Sequence, residues 1–214
     1  MTDAEILSCI DHTLLKPAAG RQDIFKLCAE ALEWRTASVC IPPCYVKEAR
    51  EEFGQLNICT VAGFPLGYSV TGAKVLEAEQ AVLDGAGEID MVINITHVKN
   101  DRFDRTEEEI RLVRAACGGH TLKVIVETCY LTADEKIRLC EIAGRAGADY
   151  IKTSTGFGSA GAALEDVRLF KAHAGPELRI KAAGGIRTRD DMAAFIKAGA
   201  SRIGTSSACV VAAK

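Results

Sequence analysis

In Arg145-Ala146-Gly147-Ala148-Asp149-Tyr150-Ile151-Lys152 an amphipathic stretch runs into a glycine, and an apolar run begins a few residues later. Glycine accepts the left-handed backbone that closes a helix, so the segment reads as a helix end followed by a strand start. The same pattern occurs in Asp84-Gly85-Ala86-Gly87-Glu88-Ile89-Asp90 and in Lys197-Ala198-Gly199-Ala200-Ser201-Arg202-Ile203. The spacings, 62 from Gly85 to Gly147 and 52 from Gly147 to Gly199, each hold two βα units of about thirty residues.

Working outward, short β-branched runs fall near residues 8–12, 37–41, 57–63, 88–94, 121–127, 149–154, 178–183 and 201–205. Amphipathic stretches of about ten to fifteen residues separate them, the alternation expected of parallel strands joined by helical crossovers. Helices are expected at Thr71–Asp84, with Val75, Leu76, Ala78, Val82 and Leu83 toward one side, and at Thr132–Arg145, with Ile137, Leu139, Cys140 and Ile142 inward. Eight strands with no Pro/Gly-rich linker point to an α/β chain forming one (β/α)₈ TIM barrel over residues 1–214, with a short N-terminal helix. A doubly wound open sheet is compatible with the alternation alone.

The chain has 214 residues, 48% of them hydrophobic, enough for one sizeable core and short for two enzyme domains. Its 26 basic and 29 acidic residues are interspersed and leave a net charge of −3, so neither nucleic acid nor an anionic membrane is an expected partner. The start Met1-Thr2-Asp3-Ala4-Glu5 lacks the features of a signal peptide, and no apolar run approaches the ~20 residues of a membrane span. A cytoplasmic protein is expected. Nine cysteines, an odd number without a C-x-x-C, fit a reducing compartment, and four scattered histidines argue against a metal site.

A parallel strand covered on both faces should read as continuous apolar sequence, so residues that interrupt it are informative. Five strands are interrupted by charge: Asp11, Asp90, Lys123, Lys152 and Lys181. With period-2 alternation the Ile or Leu before each faces the helices and the charge faces the barrel interior. Burying charge is costly, and five together point to chemistry more than to structure. Free lysine has a pKa near 10.4, so about one amine in two thousand is neutral at pH 7, and only the neutral form attacks a carbonyl. Burial and a second cation both favour that form, so one of Lys152 and Lys181 is expected as nucleophile and the other as its perturbant. Asp90 would then give and take protons.

Glycine and hydroxyl turns follow the last strands: Thr153-Ser154-Thr155-Gly156, Ala183-Gly184-Gly185-Ile186-Arg187 and Gly204-Thr205-Ser206-Ser207. Their backbone amides can approach an anion, and in a barrel the loops after strands seven and eight are the usual phosphate site.

The motifs Asp-His-Thr-Leu-Leu-Lys-Pro, Val-Ala-Gly-Phe-Pro-Leu-Gly, Glu-Ile-Asp-Met-Val-Ile-Asn, Leu-Lys-Val-Ile-Val-Glu-Thr, Tyr-Ile-Lys-Thr-Ser-Thr-Gly-Phe and Ile-Lys-Ala-Ala-Gly-Gly-Ile-Arg-Thr closely resemble the deoxyribose-phosphate aldolase family, in order from Asp11 to Ser207. The resemblance implies reversible cleavage of 2-deoxy-D-ribose 5-phosphate to D-glyceraldehyde 3-phosphate and acetaldehyde, with no metal or other cofactor. It also implies Lys152 as the Schiff-base lysine, Lys181 as the second lysine and Asp90 as the acid/base group, with Lys123 and Asp11 in support. Cys40 would line the acetaldehyde end. Thr155, Gly156, Gly184, Gly185, Gly204, Ser206 and Ser207 fall at the substrate and phosphate end, and Arg187 adds charge there. Relatives are commonly dimers or tetramers, so a homo-oligomer is expected. Two departures are visible: only seven residues follow Ser207 and none is the terminal Tyr that some relatives carry, and Ala182 stands after Lys181 where others often have Pro. The alternatives are another class I sugar-phosphate aldolase or transaldolase, or a sugar-phosphate-binding barrel without catalysis.

Overall fold

A computed structural model describes residues 1–212; Ala213 and Lys214, the last two of the expected domain span and of the seven-residue tail, lie outside the described residues. Helix α1 (Asp3–Leu7) precedes strand β1 (Ile10–Thr13). There follow α2 (Arg21–Trp34), β2 (Ser38–Cys40), α3 (Val46–Glu52), β3 (Ile58–Ala62), α4 (Thr71–Leu83) and β4 (Glu88–Val92). Two helices, α5 (Ile95–Lys99) and α6 (Phe103–Ala116), lead to β5 (Thr121–Ile125). The chain continues through α7 (Ala133–Arg145), β6 (Tyr150–Lys152), α8 (Leu164–His173), β7 (Arg179–Ala183), α9 (Arg189–Ala198), β8 (Arg202–Thr205) and α10 (Cys209–Ala212). All eight strands pair in parallel in sequence order, and β8 closes on β1. The barrel and the short first helix are as expected; the open sheet is not formed.

Two cores result from the period of two along each strand. Ile10, Ile89, Leu122, Ile151 and Ile180, each one residue before an interior charge, belong to the buried apolar shell between strands and helices. Each such side chain contributes roughly 1.5–3 kcal/mol on burial. The alternate residues fill the barrel in layers of four, as this fold dictates. Ser38, Glu88, Tyr150 and Arg202 form the lowest layer. Asp11, Cys59, Lys123 and Lys181 lie above it, and Cys40, Asp90, Lys152 and Gly204 one level further toward the C-terminal mouth. The apolar filling usual in such barrels is replaced here by a charged one.

Helix α7 matches its expected span, with the Thr132 hydroxyl and the Glu135 carboxylate closing a capping box. Helix α4 also matches, and its inward face does so in part: Ala78 is buried and Val75 and Val82 pack against the core as expected, whereas Leu76 is 66% and Leu83 80% exposed and Lys74 and Ala81 are buried instead. The reason is Glu109 on the neighbouring α6, 2.8 Å from the Lys74 ammonium, which allows a lysine rather than a leucine to face inward. Among the described residues no helix is long and apolar enough to cross a membrane.

Candidate active site

The five interior charges converge. Lys152 Nζ and Lys181 Nζ each lie 2.7 Å from the same oxygen of Asp90, Oδ2, and Lys123 Nζ lies 2.7 Å from Oδ1. Lys181 also donates to Asp11 Oδ2. Asp11, Asp90, Lys123 and Lys181 are wholly enclosed, and Lys152 is 3% exposed. Strand register produces the convergence: Asp90 pairs with Lys123 across β4–β5, and Lys152 with Lys181 across β6–β7.

The electrostatics differ from a simple pair of lysines. Burial alone would push the Lys181 ammonium toward lower pKa, but the Asp11 and Asp90 charges outweigh it and hold the pKa well above the ordinary lysine value. Lys123 is raised for the same reason, burial being overcome by Asp90, Cys59, Asp11 and Glu88. Burial pushes the Asp11 and Asp90 carboxyls up, and the surrounding ammonium groups pull both well below the usual carboxylate range. A carboxylate oxygen of Asp90 stands between Lys181 and Lys152 and accepts from both. What distinguishes Lys152 is its partner count: it meets one carboxylate, whereas Lys181 meets two and Lys123 three. Among the described residues the strands carry four interior cations (Lys123, Lys152, Lys181, Arg202) and three carboxylates (Asp11, Glu88, Asp90), so loss of one proton balances the strand-borne charges.

Glu88 and Arg202 were not legible as site residues. Each is the first residue of its strand, where a charge reads as the end of a loop. Arg202 reaches inward to Asp11 Oδ1 at 2.5 Å and to Glu88 Oε2 at 3.1 Å.

Above Lys152 opens a cavity of about 400 Å³. Lys152, Thr155, Gly156, Gly184, Gly185, Arg187, Gly204 and Ser206 line it. Gly184, at φ +90°, has no room for a Cβ, which would lie 3.0 Å from the Cα of Gly161 and 3.3 Å from the Cβ of Ser154. Ser207 is not in the lining; its amide donates to Thr205 Oγ1 at 3.0 Å. Cys40 is also outside the lining, wholly buried with Cys59 and Val61 beneath Leu15 and Phe64. Sequence reasoning passed over Leu15, Lys16 and Phe157, which line the cavity from loops and carry no regular pattern. It also passed over Glu127, whose buried carboxylate accepts from the Thr155 hydroxyl and holds the loop after β6. Burial pushes the Glu127 carboxyl up, against the Thr155 hydrogen bonds that lower it.

Two groups of metal-ligating atoms come together inside the barrel, Cys40 with Cys59 and Asp90, and Asp11 with Cys59 and Glu88. The Lys123 ammonium already touches both, at 3.1 Å from Cys59 Sγ and 2.6 Å from Glu88 Oε2. A metal ion at either would have to displace that cation from its carboxylates.

An enclosed amine one hydrogen bond from a carboxylate, opening on a cleft lined by glycines and a guanidinium, is the equipment of a barrel lyase that acts beside a carbonyl. Comparison with known proteins agrees. Residues 6–208 match the DeoC/LacD family of aldolases. A deoxyribose-phosphate aldolase of Clostridium botulinum (strain Alaska E43) is 57% identical, covering 97% of this chain and 95% of that protein. One from Clostridioides difficile (strain 630) is 53% identical over 96% and 94%. The tetrameric deoxyribose phosphate aldolase of Aeropyrum pernix superposes with a TM-score of 0.88 at 32% identity, covering 98% of this chain and 90% of that one. The chain belongs to the DeoC/LacD aldolase family.

Proposed function

We propose that the protein cleaves 2-deoxy-D-ribose 5-phosphate reversibly into D-glyceraldehyde 3-phosphate and acetaldehyde through an imine on Lys152. The observation that carries the reading is the single Asp90 oxygen shared at 2.7 Å by Lys152 and Lys181 at the base of the cavity. The neutral Lys152 amine adds to C1 of the open-chain sugar, and loss of water leaves a protonated imine. Asp90, directly or through a water, takes the proton from the C3 hydroxyl. The C2–C3 bond breaks toward the imine, glyceraldehyde 3-phosphate leaves, and the electron pair remains on an enamine. Protonation at C2 and hydrolysis then release acetaldehyde and restore the amine.

The segments at the ends of β6, β7 and β8 suit the phosphate: Gly156, Gly184, Gly185, Gly204, Ser206 and the exposed Arg187 all line the cavity. Binding energy at the phosphate holds C1 over Lys152, where positioning lowers the barrier. Leu15, which packs with the cluster of Cys40, Cys59 and Val61, lines the cavity and gives it an apolar side suited to the two-carbon end. Arg187→Met tests the assignment: KM for the phosphorylated sugar should rise at least tenfold while kcat/KM for unphosphorylated 2-deoxyribose stays within twofold. An equal loss on both substrates would remove Arg187 from the phosphate site.

The site supplies its own cations and nucleophile, which supports a metal-independent reaction. Chelation is expected to leave the rate unchanged. Release of acetaldehyde, followed with a reductase coupled to it, separates this reading from other imine-forming sugar-phosphate aldolases, which would give a different small product. Nine free cysteines support a reducing, cytoplasmic setting. Val70, Leu76 and Leu83, at 76%, 66% and 80% exposure on and before α4, support self-association, as does the tetrameric relative.

A further inference from the structure

Beneath the reacting groups lies a charged pair that touches no part of the cavity. Arg202, at the start of β8, and Glu88, at the start of β4, fill the lowest interior layer with Ser38 and Tyr150. Neither lines the cleft. Two chains of contacts nevertheless lead from them to Lys152. One runs from Arg202 to Asp11 at 2.5 Å, from Asp11 to Lys181, and from Lys181 to Asp90 at 2.7 Å. The other runs from Glu88 to Lys123 at 2.6 Å and from Lys123 to Asp90 at 2.7 Å.

We propose that Arg202 and Glu88 are positioning residues that set, by their charges, how readily the barrel interior releases the proton that Lys152 must lose before it attacks a carbonyl. The inference rests on the imine reading above. Every strand contributes a titratable, charged or polar group to the balance: Asp11, Ser38 and Cys40, Cys59, Glu88 and Asp90, Lys123, Tyr150 and Lys152, Lys181 and Arg202. With all lysines protonated the four strand-borne cations exceed the three strand-borne carboxylates by one charge, and the remaining carboxyl that faces Lys152, Glu127 in the segment after β5, is pushed by burial toward its neutral form. Arg202 supplies that excess, so shedding one proton relieves repulsion instead of creating a net negative interior. Glu88 works in the opposite sense, holding Lys123 and limiting the excess to one. Charge inside a poorly solvated barrel acts at longer range than it does at a surface, so two residues one layer down can govern a group they do not touch.

The consequence is a pair of opposite shifts. In Arg202→Met the fully protonated interior is neutral, loss of a proton leaves it negative, and the acid limb of the kcat/KM profile moves to higher pH. In Glu88→Gln the interior starts with an excess of two, and the same limb moves to lower pH. A unit charge screened by an effective dielectric of about 20 corresponds to a shift of about one pH unit in each case. The double variant restores the balance, and its limb returns to within a few tenths of a pH unit of the parent.

The experiment is kcat/KM for 2-deoxyribose 5-phosphate against pH in the parent, both single variants and the double, with circular dichroism to show that each is folded. Where Arg202→Met does not fold, Arg202→Gln keeps hydrogen-bond donors without the charge and carries the same expected upward shift. Opposite shifts, cancelling in the double, support the inference. Shifts of the same sign, or unmoved limbs with reduced kcat, overturn it and leave the pair as structural supports. Absence of a borohydride-trapped adduct on Lys152 in the parent would instead remove the imine reading itself.

Discussion

Gly204 owes its place to the lysine across from it. A Cβ there would lie 3.2 Å from Lys181 Cε and 2.9 Å from Ala183 Cβ, so any side chain would press the ammonium away from Asp11 and Asp90. Gly204→Ala is expected to lower kcat more than tenfold, with an overpacking cost of about 1–3 kcal/mol seen as a reduced thermal midpoint. Unchanged kcat would mean that Lys181 need not hold its present position. At this scale the sequence was most informative where a residue contradicted its surroundings. Asp11, Asp90, Lys123, Lys152 and Lys181 stand out because each interrupts an apolar run, and the structure brings all five together. Glu88 and Arg202 do not stand out, since a charge at a strand entrance is ordinary. Cys59 does not either, because a buried thiol reads as a small apolar residue, although it donates to Asp90 Oδ1 at 3.2 Å.

Between residues and the whole barrel, helix α4 shows what periodicity leaves open. A 3.6-residue repeat identifies an amphipathic helix, but which face turns inward depends on the neighbouring element. Here the neighbour is α6, and its Glu109 takes Lys74 into the interior. The Lys74 ammonium donates to Glu109 Oε1 and to the Val92 carbonyl, each at 2.8 Å, while Glu109 Oε2 accepts from the Asn94 amide. The pair thus ties α4 and α6 to the end of β4, two residues beyond Asp90. Burial lowers the Lys74 pKa, against the Glu109 charge that raises it. Glu109→Gln leaves that ammonium without its counter-charge and is expected to destabilise the fold by about 3–5 kcal/mol. Glu109→Leu combined with Lys74→Met should recover most of the loss, since both buried charges are then gone. Chemical denaturation of the two variants measures the difference, and equal destabilisation would mean that packing rather than charge sets the cost. By contrast, the end of α7 and the start of β6 were legible, because Gly147 and the Tyr-Ile-Lys run mark them locally.

For the molecule as a whole, the charged interior fixes the pH range of stability. Asp11 and Asp90 have folded pKa values below their unfolded ones, so their contribution is present above the ordinary carboxylate range and is lost as pH falls below about 4. Lys181 and Lys123 have folded values above their unfolded ones, so theirs is complete below about 10.4 and declines at higher pH. Both descriptions concern the same ion pairs and count once. A thermal midpoint that is nearly flat between about pH 5 and 9 and falls beyond either end is expected; a steep loss between pH 5 and 6 would contradict the interior charge pattern. The eight-strand closure was readable because each βα unit repeats the same local signal, whereas self-association depends on surfaces that a single chain leaves uncovered. Imine formation on Lys152 is open to direct trapping. Incubation with 2-deoxyribose 5-phosphate and borohydride, followed by peptide mass spectrometry, should place a reduced adduct on Lys152, lost in Lys152→Ala together with activity. Glyceraldehyde 3-phosphate formed with no lysine modified, or an adduct on Lys181 in place of Lys152, would rule out Lys152 as the imine-forming residue.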